Sequence, residues 1–210
     1  MSSRVICIAK VIGSGGEEVG RSVAEALGFQ LVDEAIIQHA AEAEGVSVEE
    51  LSEVERRSTV LTRLMRGLAI SGVADMGMGS AAVYLPDVLA HDPKSLRGLI
   101  QKSIHETADA GNVVIVSHAA SYALGAKADT LRVLVTAPTE LRVQRVAAAS
   151  GQDTKDATKA IATDDGNRAA YLKEFYGVSH ELPTHYDLVL NSESLSPRAI
   201  ADIIVSAARA

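Results

Sequence analysis

A glycine-rich stretch near the start of the chain has residue types and spacing suited to holding an anion. Residues 8–22 read IAKVIGSGGEEVGRS, in which apolar residues precede the glycines and helical spacing follows them. Glycines let consecutive backbone N–H groups converge on an anion, and a helix N-terminus adds a partial positive charge. We therefore predict a phosphate-binding stretch made of Gly13, Ser14, Gly15, Gly16, Gly20, Arg21 and Ser22.

The spacing from Gly15 to Ser22 fits the phosphate-loop pattern G-x-x-x-x-G-[KR]-S, with arginine in place of lysine. In this interpretation Arg21 contacts the phosphates and Ser22 is a ligand of Mg²⁺. Arg21 keeps the positive charge, although a planar guanidinium differs from a compact ammonium. Glu17 and Glu18 add two carboxylates, and a like-charge contact at about 4 Å in water costs on the order of 1 kcal/mol. They are tolerable if they point outward.

Two other interpretations of the glycines stay open. Gly13-x-Gly15-x-x-Glu18 begins like a dinucleotide-binding fingerprint, and Asp33 ends the second predicted strand, where that fold places a ribose-binding acid. Glu18 stands where the third glycine belongs and would crowd the contact between helix and strand. Alternatively, the glycines make only a tight turn between a strand and a helix, with no ligand.

The composition is typical of an α/β protein with an aliphatic core. Of 210 residues, 47% are hydrophobic, only 3% are aromatic and none is Trp, and the net charge of −7 argues against a nucleic-acid-binding surface. Cys7 is the single cysteine, which excludes an intramolecular disulfide and a cysteine-cluster zinc site. With neither a signal-like first segment nor an apolar run suited to a membrane span, we expect a single cytoplasmic domain with no membrane partner.

Hydrophobic periodicity predicts strands that alternate with helices, which implies a parallel sheet covered on both faces. Strands are predicted at 4–9, 29–33, 113–116, 130–136 and 188–190. Helices are predicted from the glycines to Leu27, from 35 to about 70, at 95–109, shortly after 116, at 138–149, at 153–176 and after Ser196. The second of these is interrupted at Gly45, and the helix at 153–176 is broken at 164–166. Thr139 and Ser196 are the predicted caps of their helices.

Two segments fall outside the predicted sheet layers. One is a helical insertion at about 35–111, and the other is a polar segment at about 151–183. The core is then 1–34, 112–150 and 184–210. A core sheet with two appended helical segments suits an enzyme that must close over a charged substrate.

Four stretches that together span nearly the whole chain resemble the cytidylate-kinase-like proteins, a branch of the nucleoside monophosphate kinases within the phosphate-loop group. They are VIGSGGEEVGRSVAEALGFQLVDEAII, AGNVVIV, LRVLVTAPTELRVQRV and DDGNRAAYLKEFYGVSHELPTHYDLVLNSESLS, of which the last is the most specific. Members of this branch often lack the loop lysine, so Arg21 agrees with the resemblance.

The resemblance implies a doubly wound parallel sheet of P-loop kinase type, with 35–111 as an insertion that binds the nucleoside monophosphate and 151–183 as a lid. It implies Mg²⁺ and ATP at the glycine loop and phosphoryl transfer to a nucleotide such as CMP. Arg145 and Arg168 would reach phosphates beside Arg21, with Asp165 three positions before Arg168. Such cations stabilise the charge that spreads over a transferring phosphoryl group.

The sequence departs from the family after the strand at 113–116. The family typically has Gly-Arg-Gly there, whose arginine is expected to meet the acceptor nucleotide, whereas this chain has Ser117-His118-Ala119. His118 could substitute, with Asp33 as a second residue on the acceptor side, but neutral imidazole is a poor phosphate ligand at pH 7. The alternative function is therefore a binding or regulatory protein on the same fold with little or no phosphoryl transfer.

The histidines and methionines carry two further interpretations. The six histidines show no spacing typical of a metal site. Met65, Met76 and Met78 are interpreted either as gap-fillers or as part of a surface through which the chain forms a homodimer.

Overall fold

The computed structural model describes residues 2–33, 93–117 and 119–210 of the chain. Three predictions lie outside the described residues, and they concern the helices between 35 and 70, His118, and the methionines at 65, 76 and 78.

The described residues form strands and helices at the places that the periodicity predicts, within one or two residues at most ends. The strands are β1 Val5–Lys10, β2 Gln30–Val32, β3 Val113–Val116, β4 Thr130–Thr136 and β5 Leu188–Asn191. The helices are α1 Gly16–Leu27, α2 Pro93–Ala110, α3 Ala120–Leu124, α4 Thr139–Ser150, α5 Thr154–Tyr176 and α6 Pro197–Arg209, with a 3₁₀ turn at Pro183–His185.

The five strands form one parallel sheet in the order β2-β3-β1-β4-β5. β1 lies at the centre, where Ile8 pairs with Val116 of β3 on one side and with Val133 of β4 on the other. Because all strands run the same way, their carboxyl ends meet at one edge of the sheet. The predicted parallel α/β sheet is confirmed.

Both faces of the sheet are covered by helices, as in a doubly wound fold. Val5 and Cys7 of β1 pack on one face in a cluster with residues of α2, α3 and α5. Ile6 and Ile8 alternate to the other face and pack with residues of α1 and α6. Cys7 is fully buried, and burial raises the pKa of its thiol to about 12, which is typical of a structural thiol and not of a reactive one.

The carboxyl ends of β1 and β3 lie at a switch point of the topology. β1 continues into α1 on one face of the sheet, whereas β3 leads to α3 on the other face. In open α/β sheets, ligands bind in the crevice at such a point. The glycine loop, which we define as residues 11–15, occupies the carboxyl end of β1 beside Ser117 at that of β3.

Two local predictions about helices are wrong. α5 runs without interruption through 164–166, where a break was predicted, because Ile161, Arg168 and Leu172 lie on one buried face on both sides of Gly166. That packing outweighs the roughly 1 kcal/mol that a glycine costs within a helix. Thr139 is not a cap, since Pro138 is the N-cap residue of α4 and no side chain caps this helix.

The cap predicted for the last helix is confirmed. The Ser196 hydroxyl accepts a hydrogen bond from the N–H of Ala199 at 3.2 Å, and Pro197 is the first residue of α6. Within the described residues, no helix combines the length and the apolar character needed to cross a membrane.

The two predicted appended segments also contribute to the core. Ile104 and Ala108 of α2, within 35–111, and Leu172 and Phe175 of α5, within 151–183, belong to the cluster beneath the sheet. The division of the chain into core, insertion and lid stays a prediction.

Gly20→Ala is expected to destabilise the protein, although alanine usually favours a helix. A Cβ atom at Gly20 would lie 2.4 Å from Cγ2 of Val116, within the buried contact of α1 with β3, and overpacking of this kind costs roughly 1–3 kcal/mol. The matched control is Gly166→Ala in α5, where nothing lies within 4 Å and a gain of about 1 kcal/mol is expected. Urea denaturation measures the free energy of unfolding of both variants. An equal gain in stability in the two variants would contradict the close contact of Gly20 with Val116.

Candidate functional site

The glycine loop turns through two residues in the left-handed region. Gly13 has φ +80° and Gly15 has φ +81°, a conformation that favours glycine because it has no Cβ atom. The N–H of Ser14 donates to the carbonyl oxygen of Val11 at 3.0 Å and closes the turn. A Cβ atom at Gly13 would also lie 2.9 Å from the carbonyl oxygen of Arg142. Both glycines are thus required by the local backbone.

The helix after the loop begins without a side-chain cap. Gly15 is the N-cap residue of α1 and Gly16 the first helical residue. The first N–H groups of a helix have no partner within it and carry the positive end of its dipole. Ser14 is 1% exposed and its hydroxyl has no hydrogen-bond partner among the residues that the structure describes. A bound anion at this place would satisfy all of these donors, so Gly13 to Gly16 fit a phosphate site.

The structure places Gly20, Arg21 and Ser22, which were predicted to belong to the phosphate-binding stretch, beyond the start of the helix. All three lie inside α1, and Arg21 comes five residues after Gly16, about 7.5 Å along the helix axis. Gly20 is buried against Val116 of β3, while Arg21 is exposed. The motif treats residues 16–20 as part of a loop. In the structure the helix begins directly after Gly15, so these residues are helical.

Three arginines from α4 and α5 donate hydrogen bonds to carbonyl oxygens of residues 10–13. A carbonyl oxygen that accepts from a charged guanidinium makes a stronger bond than a neutral pair would. These bonds hold the end of β1 and the first half of the glycine loop in one conformation. They join Arg142 Nε to Ile12 at 2.8 Å, Arg145 Nη1 to Gly13 at 3.3 Å, and Arg168 Nη1 to Lys10 at 3.4 Å.

Arg145 also connects the loop to the end of β5. Its Nη1 donates to the hydroxyl of Ser192 and its Nη2 to the carbonyl oxygen of Ser192, both at 2.8 Å. The Ser192 hydroxyl in turn donates to the carbonyl oxygen of Ser14 at 2.8 Å. Arg145 was predicted to reach phosphates, and the structure places it against the loop instead. Ser192 was missed, since no motif marks a serine after a short strand.

Arg142 is the second residue that sequence reasoning missed. It is 5% exposed and makes a two-point contact with Asp165, from Nη1 at 3.0 Å and from Nη2 at 2.7 Å. Asp165 was expected to act beside Arg168, but its carboxylate pairs with Arg142. The signal in the sequence was the spacing from Arg142 to Arg145, because residues three apart lie on one side of a helix.

Arg168 is buried and pairs with Glu181 rather than with Asp165. Its Nε donates to Glu181 Oε2 at 3.0 Å, and the hydroxyl of Tyr186 also donates to this carboxylate. Burial alone would raise the pKa of Glu181, but hydrogen bonds from Arg168 and Tyr186 and the charge of Arg168 outweigh it and lower the pKa. Burial and the contact with Glu181 raise the pKa of Tyr186.

A cavity of about 160 Å³ lies beside these pairs, and Val11 is the residue of the glycine loop that lines it. The guanidinium groups of Arg142 and Arg168 and the carboxylates of Asp165 and Glu181 line this cavity. The two positive and two negative charges therefore balance. Its lining residues are Val11, Arg142, Asp165, Arg168, Ala169, Leu172, Val178, Ser179 and Glu181.

The remaining predicted residues concern the acceptor and the metal. Asp33 is exposed just after β2, at the same edge of the sheet as the glycine loop, and His118 lies outside the described residues. Ser22, the predicted Mg²⁺ ligand, lies in the second turn of α1. In the part of the chain that the structure describes, no group of three or more His, Cys, Asp or Glu residues could hold a metal ion.

Glu181→Gln is expected to cost stability at neutral pH and less in acid. At about pH 7 the variant leaves the guanidinium of Arg168 buried without its counter-charge, which costs roughly 3 kcal/mol. Because the folded-state pKa of Glu181 is lowered, the stabilisation is fully present above the unfolded value of about 4.3 and is lost as the pH falls through the folded-state pKa. Urea denaturation between about pH 7 and about pH 3 measures the difference from wild type.

The control for this experiment is Glu174→Gln, an exposed carboxylate on α5 that should leave stability nearly unchanged at every pH. A difference between Glu181→Gln and wild type that stayed constant with pH would contradict the lowered pKa.

Comparison with known proteins agrees with this fold. The model of the cytidylate kinase-like family matches residues 5–194. The cytidylate kinase of Ignicoccus hospitalis is 26% identical over 201 residues, which cover 95% of this chain and 96% of that protein. An uncharacterized protein from Eubacterium ventriosum, of known crystal structure, has a TM-score of 0.64 at 16% identity and 97% coverage of both chains.

A third similarity concerns the fold alone. Shikimate kinase from Acinetobacter baumannii, in complex with shikimate, has a TM-score of 0.50 at 13% identity and covers 98% of this chain and 92% of its own. The predicted sheet of P-loop kinase type is confirmed. The expectation of an enzyme of the nucleotide-binding kinase class is confirmed by the family match and by the curated relative. By the match to residues 5–194, the chain belongs to the cytidylate kinase-like family.

Proposed function

We propose that the protein transfers the γ-phosphoryl group of ATP to a nucleoside monophosphate, with CMP as the preferred acceptor. The observation that carries the proposal is the uncapped start of α1 after Gly15, preceded by a loop whose carbonyl oxygens are held by arginines. Such a loop leaves its N–H groups for an anion. The name of the relative from Ignicoccus hospitalis supports CMP as the acceptor.

The donor phosphates would be held by the backbone N–H groups of Gly13, Gly15 and Gly16 and by the hydroxyl of Ser14, whose own N–H is used within the loop. When bound, ATP with Mg²⁺ supplies the phosphoryl group and offsets part of the charge on its phosphates. The described residues do not form a metal site by themselves, since no group of three or more His, Cys, Asp or Glu residues among them could hold a metal ion. Mg²⁺ would therefore arrive with the nucleotide, bound mainly to phosphate oxygens and water.

Arg142 and Arg168 are the cations that we assign to the transferring group. Both line the cavity beside the loop, where a cation stabilises the charge that develops on the phosphoryl oxygens. Asp165 and Glu181 hold the two guanidinium groups in orientation. The side chain of Asp165 is 40% exposed and that of Glu181 is 22% exposed, so Arg142 can exchange its carboxylate for a phosphate more easily than Arg168. Arg145 positions the loop.

The acceptor would bind at the same edge of the sheet, near Asp33. β2 and β3 lie on one side of β1, and β4 and β5 lie on the other. An acceptor bound near the end of β2 would therefore approach the cavity from the side of the sheet opposite β5. The homodimer and the cytoplasmic location stay predictions, and sedimentation of the purified protein tests the homodimer.

One observation favours a second function, nucleotide binding with little or no transfer. Glu17 and Glu18 occupy the first turn of α1, where their carboxylates interact with the positive end of the helix dipole in place of an anion. A protein that binds nucleotide weakly for this reason could act as a sensor on the same fold.

Calorimetric titration with Mg·ATP, alone and with CMP present, tests the proposal and is followed by turnover assays with CMP, UMP, AMP, GMP and shikimate. We expect ATP to bind more tightly when CMP is present and turnover to be fastest with CMP. Binding of ATP without turnover of any acceptor would support the second function. No binding of ATP to folded protein would overturn both functions.

Ser14→Ala is expected to weaken ATP binding about tenfold without loss of stability. The hydroxyl of Ser14 is buried and has no partner within the described ranges, so its removal is expected to cost nothing in the free protein, whereas a hydrogen bond to a charged phosphate contributes roughly 1.5 kcal/mol. The matched control is Ser121→Ala in α3, whose hydroxyl is equally buried and unpartnered. Calorimetry and urea denaturation of both variants measure the effects. Equal ATP affinity in both would contradict the role of Ser14.

A further inference from the structure

The start of α1 has no basic side chain of its own. Its first turn carries Glu17 and Glu18, and the single basic residue of the helix, Arg21, lies exposed in the second turn. A triphosphate is strongly anionic, and the phosphate loops of related chemistry place a lysine against its outer phosphates. The proposed function therefore needs a cation from another element.

Lys10, the last residue of β1, lies at this place. An ideal Cβ atom at Gly16 would be 2.5 Å from Cβ of Lys10, 3.3 Å from its Cδ and 3.4 Å from its Cγ. The stem of Lys10 therefore crosses the first residue of α1. Its ammonium group binds the carboxylate of Glu17 on the same turn of the helix.

The same contact explains why residue 16 is glycine. Gly13 and Gly15 need their left-handed φ angles, but Gly16 is not among the residues with positive φ, so its backbone conformation would allow any residue. Any side chain at position 16 would displace the stem of Lys10. The absence of a side chain at Gly16 thus leaves room for the side chain of Lys10. The basic side chain at the start of α1 comes from the strand before the loop instead of from the helix itself.

We propose that Lys10 is the cation that contacts the outer phosphates of the bound nucleotide, and that Glu17 holds its ammonium group until the nucleotide binds. This role rests on the proposed function and adds a substrate-contacting residue to it. The side chains of Lys10 and Glu17 are 29% and 57% exposed, and a pair this exposed contributes about 1 kcal/mol or less. A multiply charged phosphate displaces such a partner readily.

The backbone of Lys10 stays fixed while its side chain exchanges partners. Its carbonyl oxygen accepts from Arg168 Nη1 at 3.4 Å, and the residue pairs with Val135 of β4 in the sheet. The ammonium therefore moves on a rigid support, which limits the entropy lost on binding.

The test compares Lys10→Met with Lys127→Met, an exposed lysine just before the amino end of β4, at the opposite edge of the sheet. Methionine keeps an apolar stem against Gly16 and removes the charge. Calorimetry with ATP, ADP and AMP is expected to show a Kd for ATP at least tenfold higher in Lys10→Met, a Kd for AMP within about twofold of wild type, and no change in Lys127→Met.

Wild-type affinity for ATP in folded Lys10→Met would overturn this role while the proposed function stood. Failure of the wild-type protein to bind ATP would overturn the proposed function itself. A second variant, Glu17→Gln, frees the ammonium group and is expected to tighten ATP binding by up to about fivefold, with little change in Tm. Weakening of ATP binding in Glu17→Gln to the extent seen in Lys10→Met would show that the pair supports structure, and would contradict the proposal.

Discussion

Hydrogen bonds from arginines to the carbonyl oxygens of residues 10–13 fix the shape of the glycine loop. A loop with two left-handed glycines loses about 1–2 kcal/mol of backbone entropy per residue when it is ordered. A hydrogen bond from a charged group contributes roughly 1.5–3 kcal/mol, so the bonds from Arg142 and Arg145 offset part of that cost. The arginines bind the carbonyl oxygens of the loop, so the N–H groups at the uncapped start of α1 remain available to bind an anion.

The same arginines connect the loop to distant parts of the chain. Arg142 is held by Asp165 in the middle of α5, and Arg168, one turn further along that helix, is held by Glu181. Ser192 connects Arg145 to the end of β5. The loop, two helices and the edge of the sheet thus form one polar network. A phosphate that competed for these guanidinium groups would also act on the position of α5.

The site has nearly as many carboxylates as cations. Lys10, Arg142 and Arg168 pair with Glu17, Asp165 and Glu181, and the whole chain is acidic. Net charge therefore does not attract an anion to this protein. Local geometry does so, through backbone donors at a helix start and cations whose carboxylate partners remain partly exposed. The parallel sheet makes this geometry possible because it brings the ends of all its strands to one edge.

The sequence by itself determined the strands, most helix limits, the cap at Ser196 and the position of the glycine loop. These features depend on near neighbours, since periodicity, glycine and capping residues act within a few positions of the chain. Only the tertiary structure decided that α5 runs through Gly166. It also decided that α1 begins at Gly16, which puts Arg21 in the second turn of the helix, and that the side chain of Lys10 packs over Gly16. It likewise decided the partners of Arg142 and Arg145, which lie about 130 residues from the loop carbonyls to which they donate. A long side chain can reach any group that packing brings near it, and spacing along the chain does not record which group that is.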